Sequence, residues 1–74
     1  MKLYIEFKNN ETKMIIKSEL DKRGFDTSYN SCGTLFINNI EFISYELDSI
    51  KIENKGLHDY QLNLKDISYL EIQK

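Results

Sequence analysis

The chain has 74 residues, of which 41% are hydrophobic and 30% charged, and its net charge at pH 7 is −2. This composition excludes a disordered chain, and the single cysteine, Cys32, excludes a framework of internal disulfides. No apolar run approaches the roughly 18 residues of a membrane span, and charged residues occur too early for a secretory signal, so we expect one compact cytoplasmic domain over residues 1–74.

The N-terminal segment predicts a β-hairpin followed by a short helix. Hydrophobic and polar residues alternate over residues 2–8, as they do in a strand with one buried face. A two-residue turn at Asn9 and Asn10 would pair this strand with residues 11–17 and bring opposite charges into register across the pair. The segment SELDKR, residues 18–23, then has the composition of a short capped helix.

A longer helix over residues 11–23 is the alternative for the same segment. The glycine that follows is suited to the left-handed conformation that ends many helices. On a helical wheel, however, Glu19 falls inside the hydrophobic stripe formed by Ile15, Ile16 and Leu20. A charged residue in that stripe makes a poor amphipathic surface, so the hairpin is the favoured prediction.

The segment GTLFINNIEFISYEL, residues 33–47, predicts a second hairpin that turns at its Asn-Asn pair. Its register pairs Ile37 with Ile40 and Leu35 with Phe42 on one face. Both faces carry large hydrophobic side chains, whereas a chain of this length has little material with which to cover two faces. We therefore expect part of the second face to be covered by another molecule.

The chain after this hairpin indicates further short strands. The hydrophobic alternation changes phase near residue 48, which predicts a bulge or a sharp bend. A turn around NKG then aligns Ile52 with Tyr60 and Ile50 with Leu62. The ending LNLKDISYLEI supplies a short turn and a closing strand, and it resembles the last turn and strand of Sm- and SH3-like barrels.

Together these elements predict a mainly β fold. It would contain about five to seven short strands and one short helix near 18–23, in a small, strongly bent antiparallel sheet or a barrel of SH3/Sm-like size. The alternative is an α+β fold in which the longer helix, residues 11–23, packs on an antiparallel sheet.

The sequence contains no motif that predicts catalysis, and we expect a protein that is not an enzyme. Cys32 and His58 are the only thiol and imidazole, and nothing in their spacing brings them within hydrogen-bond reach. The carboxylates are scattered instead of spaced as in a calcium loop, and the three glycines are isolated. We therefore predict no metal and no cofactor.

The second face of the 33–47 hairpin predicts a protein-binding surface. Hydrophobic anchors inside a polar rim are typical of such surfaces, and acidic residues at the rim favour a basic partner. The predicted anchors and rim acids are Phe36, Ile43, Tyr45, Leu47, Glu41, Glu46 and Asp48. The partner would be a host protein, a second copy in a homodimer, or both. The competing interpretation is that another part of this chain covers the same side chains.

The leading hypothesis is a small non-enzymatic protein that occludes a surface of a host protein. The chain is rich in Lys, Ile and Asn and has one Arg and no Pro, as is typical of AT-rich coding, and this favours a phage or another mobile element as its source. An inhibitor of a defence nuclease, similar to an anti-CRISPR protein, is one concrete form of this hypothesis.

A small barrel that binds nucleic acid is the alternative function. Five Tyr and four Phe provide rings on which bases could stack, and Lys13, Lys17, Lys22 and Arg23 provide a basic cluster. A net acidic chain with a single Arg is poorly suited to phosphate contacts. Protein binding is therefore the favoured hypothesis.

Overall fold

Seven β-strands and one α-helix form the fold, which a computed structural model describes over residues 1–56 and 58–74. In chain order the elements are β1 (Lys2–Phe7), α1 (Asn10–Lys22), β2 (Asp26–Tyr29), β3 (Leu35–Asn38), β4 (Ile40–Tyr45), β5 (Ser49–Asn54), β6 (Asp59–Asn63) and β7 (Ile67–Gln73). A short 3₁₀ helix, Leu64–Asp66, precedes β7.

The strands form two antiparallel sheets. The first sheet has the order β2-β3-β1-β7, and the second has the order β4-β5-β6. The two sheets do not close into a barrel. The prediction of a mainly β fold with short antiparallel strands and one helix is therefore confirmed. Within the described part of the chain, no helix has the length and hydrophobicity needed to cross a membrane.

Residues 11–17 belong to α1, so the predicted N-terminal hairpin is wrong and the alternative, longer helix is found. The helix begins where Asn9, with an extended backbone, caps it: its side-chain Oδ1 accepts a hydrogen bond from the Thr12 N–H at 2.8 Å. Gly24, with a φ of +86°, follows the last turn in the left-handed conformation. An asparagine expected to form a hairpin turn thus starts a helix instead.

Glu19 does not disrupt the buried side of α1 because that side is narrow. Ile16 and Leu20, one helical turn apart, are buried, whereas Ile15 is exposed. Glu19 lies beside this stripe, and its carboxylate accepts a hydrogen bond from the Tyr60 hydroxyl. The conflict seen on the helical wheel disappears because Ile15 is not part of the packed surface.

The chain between β3 and β4 passes from the first sheet to the second, so the predicted hairpin over residues 33–47 is wrong. Ile37 pairs with β1, and Ile40 pairs with β5. Between them, Asn39 has a φ of +57°, in the left-handed region that asparagine adopts more readily than most residues. This residue forms a corner at which one continuous chain changes sheets.

The second sheet has the register predicted for its last two strands. Ile52 pairs with Tyr60 and Ile50 pairs with Leu62. The change of phase near residue 48 is a tight turn between β4 and β5.

One hydrophobic core lies between the inner faces of the two sheets and α1. Hydrophobic residues from both sheets, from α1 and from the segment that follows it are almost completely buried there. They are Leu3, Ile5, Ile16, Leu20, Phe25, Leu35, Ile37, Ile40, Ile50, Ile52 and Leu62. The core therefore takes one face of each sheet, and the opposite faces lie outside it.

Candidate functional site

Strand β4 and the turn after it expose three large hydrophobic side chains. The exposed fraction is 62% for Phe42, 65% for Tyr45 and 99% for Leu47. Neighbouring exposed hydrophobic side chains mark interaction sites more often than scattered ones do. We define the β4 surface as the hydrophobic and acidic exposed residues of this segment: Glu41, Phe42, Tyr45, Glu46, Leu47 and Asp48.

Strand β4 divides its side chains between the two faces of the second sheet. Ile43 and Tyr45 pair with the buried isoleucines of β5 and so lie on the face that covers the core. Ile43 packs against the core and is partly buried, whereas Tyr45 lies near the end of this edge strand and stays exposed. Phe42 pairs with Glu53 on the outer face.

Phe42 belongs to this surface although the sequence predicts it in the core. Straight alternation from Ile40 would turn Phe42 inward. A register shift between these two residues reverses the alternation, so that Ile43 points inward instead. The residue types of the segment IEF do not signal this bulge, so sequence reasoning had no means of finding it.

The turn that carries Leu47 is fixed by backbone hydrogen bonds. The Glu46 N–H donates to the Ser49 carbonyl at 2.9 Å, and the Asp48 carbonyl accepts a hydrogen bond from the Leu64 N–H at 3.0 Å. Leu47 is therefore presented on an ordered backbone. Less conformational entropy is lost when such a residue is buried in a complex than when a mobile loop is ordered.

The charged side chains of the β4 surface are all acidic. The surface contains three carboxylates, and the sequence has no Lys or Arg between residues 24 and 50. The next base along the chain, Lys51, lies 3.6 and 3.8 Å from two carboxylates of β5 and β6. Lys51 and Arg23 line one surface cavity together with Glu46, so the negative charge of the β4 surface is partly offset at that residue.

Phe36, one of the predicted anchors, lies apart from the other anchors. It is on the outer face of the first sheet, where its ring centroid is 5.3 Å from that of Tyr4. The ammonium group of Lys2 lies 5.1 Å above the Phe36 ring. The remaining predicted residues belong to β4 or its turn, so the structure brings together six of the seven and separates Phe36.

The tyrosines beside Phe36 bind carboxylates of their own chain. Tyr4 donates to Glu6 and Tyr69 donates to Glu71, each at 2.8 Å. These hydrogen bonds to a carboxylate raise the pKa of both tyrosines. The aromatic row on the first sheet thus has internal partners for both of its hydroxyl groups.

The residues of the predicted basic cluster do not form one surface. Lys13 and Lys17 both point to the Tyr29 ring, at 5.1 and 5.5 Å from its centroid. Arg23 lies against β6 and donates to a backbone carbonyl of that strand at 3.3 Å. Lys22 is exposed at the end of α1. Nucleic-acid binding stays an untested prediction, and its four residues form two separate pairs, Lys13 with Lys17 at Tyr29 and Lys22 with Arg23 at the end of α1.

The one thiol and the one imidazole lie at opposite ends of α1. Cys32 is near Asn9 at the start of the helix, and His58 is near Arg23 at its end. The part of the chain that the structure describes holds no group of three or more His, Cys, Asp or Glu side chains placed to bind a metal ion.

Comparisons with protein-family models, with curated proteins and with solved structures found no match. The functional interpretation therefore depends on the β4 surface itself. Its three hydrophobic side chains offer contact area, and its three acids offer negative charge.

Proposed function

We propose that this protein is a small non-enzymatic module that binds another protein through the β4 surface. The observation that carries the proposal is Leu47, a 99% exposed leucine on an ordered turn directly after the strand that carries the exposed rings of Phe42 and Tyr45. Large hydrophobic and aromatic side chains surrounded by polar residues dominate the energy of many protein interfaces.

The charge of the β4 surface favours a basic partner. Three carboxylates attract Lys and Arg side chains and repel acidic surfaces. Opposite charges at the rim of an interface act chiefly on the association rate and on the choice of partner. The hydrophobic side chains would then supply most of the affinity.

An inhibitor encoded by a phage or another mobile element is the narrower form of this proposal. A module that covers a basic surface of a host protein would block whatever that surface binds, including nucleic acid. The support for this form is the small size, the acidic surface and the AT-rich coding pattern of the chain.

Capture from a bacterial lysate tests the proposal with matched variants. The wild-type protein, Leu47→Asp and Met14→Asp are immobilised, and captured proteins are compared with and without nuclease treatment. Met14 is the control because it is also exposed, at 58%, but lies on α1 outside the β4 surface. We expect Leu47→Asp to lose a captured protein that the wild type and Met14→Asp retain.

The free energy of unfolding shows whether Leu47→Asp acts on binding or on the fold. A substitution at a fully exposed position should change it by no more than about 0.5 kcal/mol. Equal capture by all three proteins, no specific capture by the wild type, or capture that disappears after nuclease treatment would contradict the proposal.

A further inference from the structure

The edge of β4 that faces away from β5 carries free backbone groups. In antiparallel pairs, residues alternate between those that hydrogen-bond the neighbouring strand and those whose N–H and C=O point away from it. Glu46 bonds to Ser49 and therefore points toward β5, as does Ser44 by alternation. Tyr45 lies between these two residues, and Ile43 directly precedes Ser44. Both Ile43 and Tyr45 consequently direct their N–H and C=O groups outward.

These outward groups have no backbone partner elsewhere in residues 1–56 and 58–74. The second sheet ends at β4, and no other strand lies on that side. The free part of the edge therefore offers two donors and two acceptors in the spacing of a β-ladder.

The start of the same edge is already occupied by a backbone segment of this chain. The Ile40 N–H donates to the Met1 carbonyl, and the Met1 amino group donates to the Ile40 carbonyl, each at 2.8 Å. The β4 edge thus accepts paired backbone hydrogen bonds at Ile40. Beyond the bulge, the equivalent positions at Ile43 and Tyr45 are open.

We propose that the partner adds a basic extended strand to this open edge of β4. The inference depends on the proposed function and specifies how the β4 surface is used. Alternate side chains of an added strand would lie beside Ile43 and Tyr45 on one face and beside Phe42 and Glu46 on the other. A strand in which hydrophobic residues alternate with Lys or Arg fits both faces.

A second copy of this chain fits the edge less well than a basic strand does. Two β4 strands paired about a two-fold axis at Ser44 would bring Ile43 opposite Tyr45, which is favourable. The same arrangement would gather the three acids of each copy, six carboxylates in all, against two Lys51 side chains that already lie beside Glu53 and Asp59. Charge therefore selects a foreign, basic strand.

Titration with a capped peptide of alternating lysine and valine tests this inference on the full-length protein. Amide chemical shifts and hydrogen exchange are followed by NMR. We expect the Ile43 and Tyr45 amides to shift and their exchange to slow. A peptide of alternating glutamate and valine should leave both amides unchanged.

A pair of variants separates backbone pairing from side-chain contact. Tyr45→Pro removes one outward N–H without removing a bond to β5, and proline is tolerated on edge strands. Tyr45→Ala removes the ring and keeps the N–H. We expect Tyr45→Pro to abolish the peptide-induced shift at Ile43 and Tyr45→Ala to retain it.

Several results would overturn strand addition. One is a lysine–valine peptide that leaves the amide shifts of Ile43 and Tyr45 unchanged, and another is an equal effect of the lysine and glutamate peptides. A third is the same peptide-induced shift at Ile43 in Tyr45→Pro and Tyr45→Ala. The last is a dimer by light scattering in which the Ile43 and Tyr45 amides are already protected from exchange. The last result would make a second copy the occupant. The capture experiment is independent of this titration. If Leu47→Asp loses its partner while the lysine–valine peptide causes no amide shift, protein binding stands and strand addition fails.

Discussion

Tyr60 connects α1 to the second sheet through a single side chain. Its hydroxyl donates to the Glu19 carboxylate, and the Arg23 guanidinium lies 5.4 Å from the centre of its ring. Burial of the hydroxyl, followed by the hydrogen bond to Glu19, raises the pKa of Tyr60 to about 12. The fold therefore favours the neutral hydroxyl over the phenolate.

This preference makes stability depend on alkaline pH. Tyrosine in the unfolded chain titrates near its ordinary value of 10.0, whereas folded Tyr60 keeps its proton up to about pH 12. The contribution of Tyr60 is fully present below pH 10.0 and is lost as the pH rises toward about 12. We expect the free energy of unfolding to fall over this window.

Tyr60→Phe checks the assignment. The variant should lose less stability than the wild type over the same alkaline window, because it has no proton to release on unfolding. Circular dichroism during urea unfolding is the suitable measurement, since the chain contains no Trp. Tyr4 and Tyr69 also have raised pKa values and will leave a residual slope. An unchanged pH dependence in Tyr60→Phe would contradict this account.

The two Asn-Asn pairs explain most of the difference between the predicted and observed elements. The sequence predicts a hairpin turn at each pair, yet Asn9 caps α1 and Asn39 forms the corner between the sheets. The same short amide side chain suits a turn, a helix N-cap and a left-handed residue, so local sequence does not choose among them. The choice depends on packing: α1 must bury Ile16 and Leu20.

The register of β5 and β6 was predictable because hydrophobic alternation specifies it. Moving one strand by a single residue would turn Ile50 and Ile52 out of the core. The position of Phe42 was not predictable, since a bulge adds one residue without a diagnostic side chain. Two of the predicted anchors, Leu47 and Tyr45, are exposed, whereas Phe36 lies in the other sheet.

Removing the helix cap should have a measurable cost. Asn9→Ala deletes the acceptor of the Thr12 N–H and should lower the free energy of unfolding by about 1 kcal/mol. Asn10→Ala is the matched control, because the Asn10 side chain makes only a 3.6 Å contact with the Met14 sulfur. Chemical denaturation of both variants provides the comparison, and an equal loss in both would refute the capping role.

At the scale of the whole molecule, hydrophobic residues have two distinct roles. One set packs both sheets and α1 into a common core, in which Ile52 is 0% exposed. The other set, represented by Leu47, contributes almost nothing to that core. The fold therefore does not depend on the side chain of Leu47.

Paired substitutions should separate the two roles. Ile52→Val removes one buried methyl group and should cost about 0.5–1.5 kcal/mol of unfolding free energy. Leu47→Ala removes more hydrophobic surface, yet it should change stability by no more than about 0.5 kcal/mol. Thermal and urea unfolding measure both values, and a larger loss for Leu47→Ala would place that residue inside the core.

The bulge at the start of β4 has a consequence for behaviour in concentrated solution. It limits the open edge to Ile43 and Tyr45, so two copies of the protein can form only a few backbone hydrogen bonds along this edge. Fibrils grow from long, flat, neutral edges that repeat the same pairing many times. A short, kinked edge with acidic neighbours is poorly suited to such repetition, so we expect the exposed Leu47 to be tolerated without fibril growth.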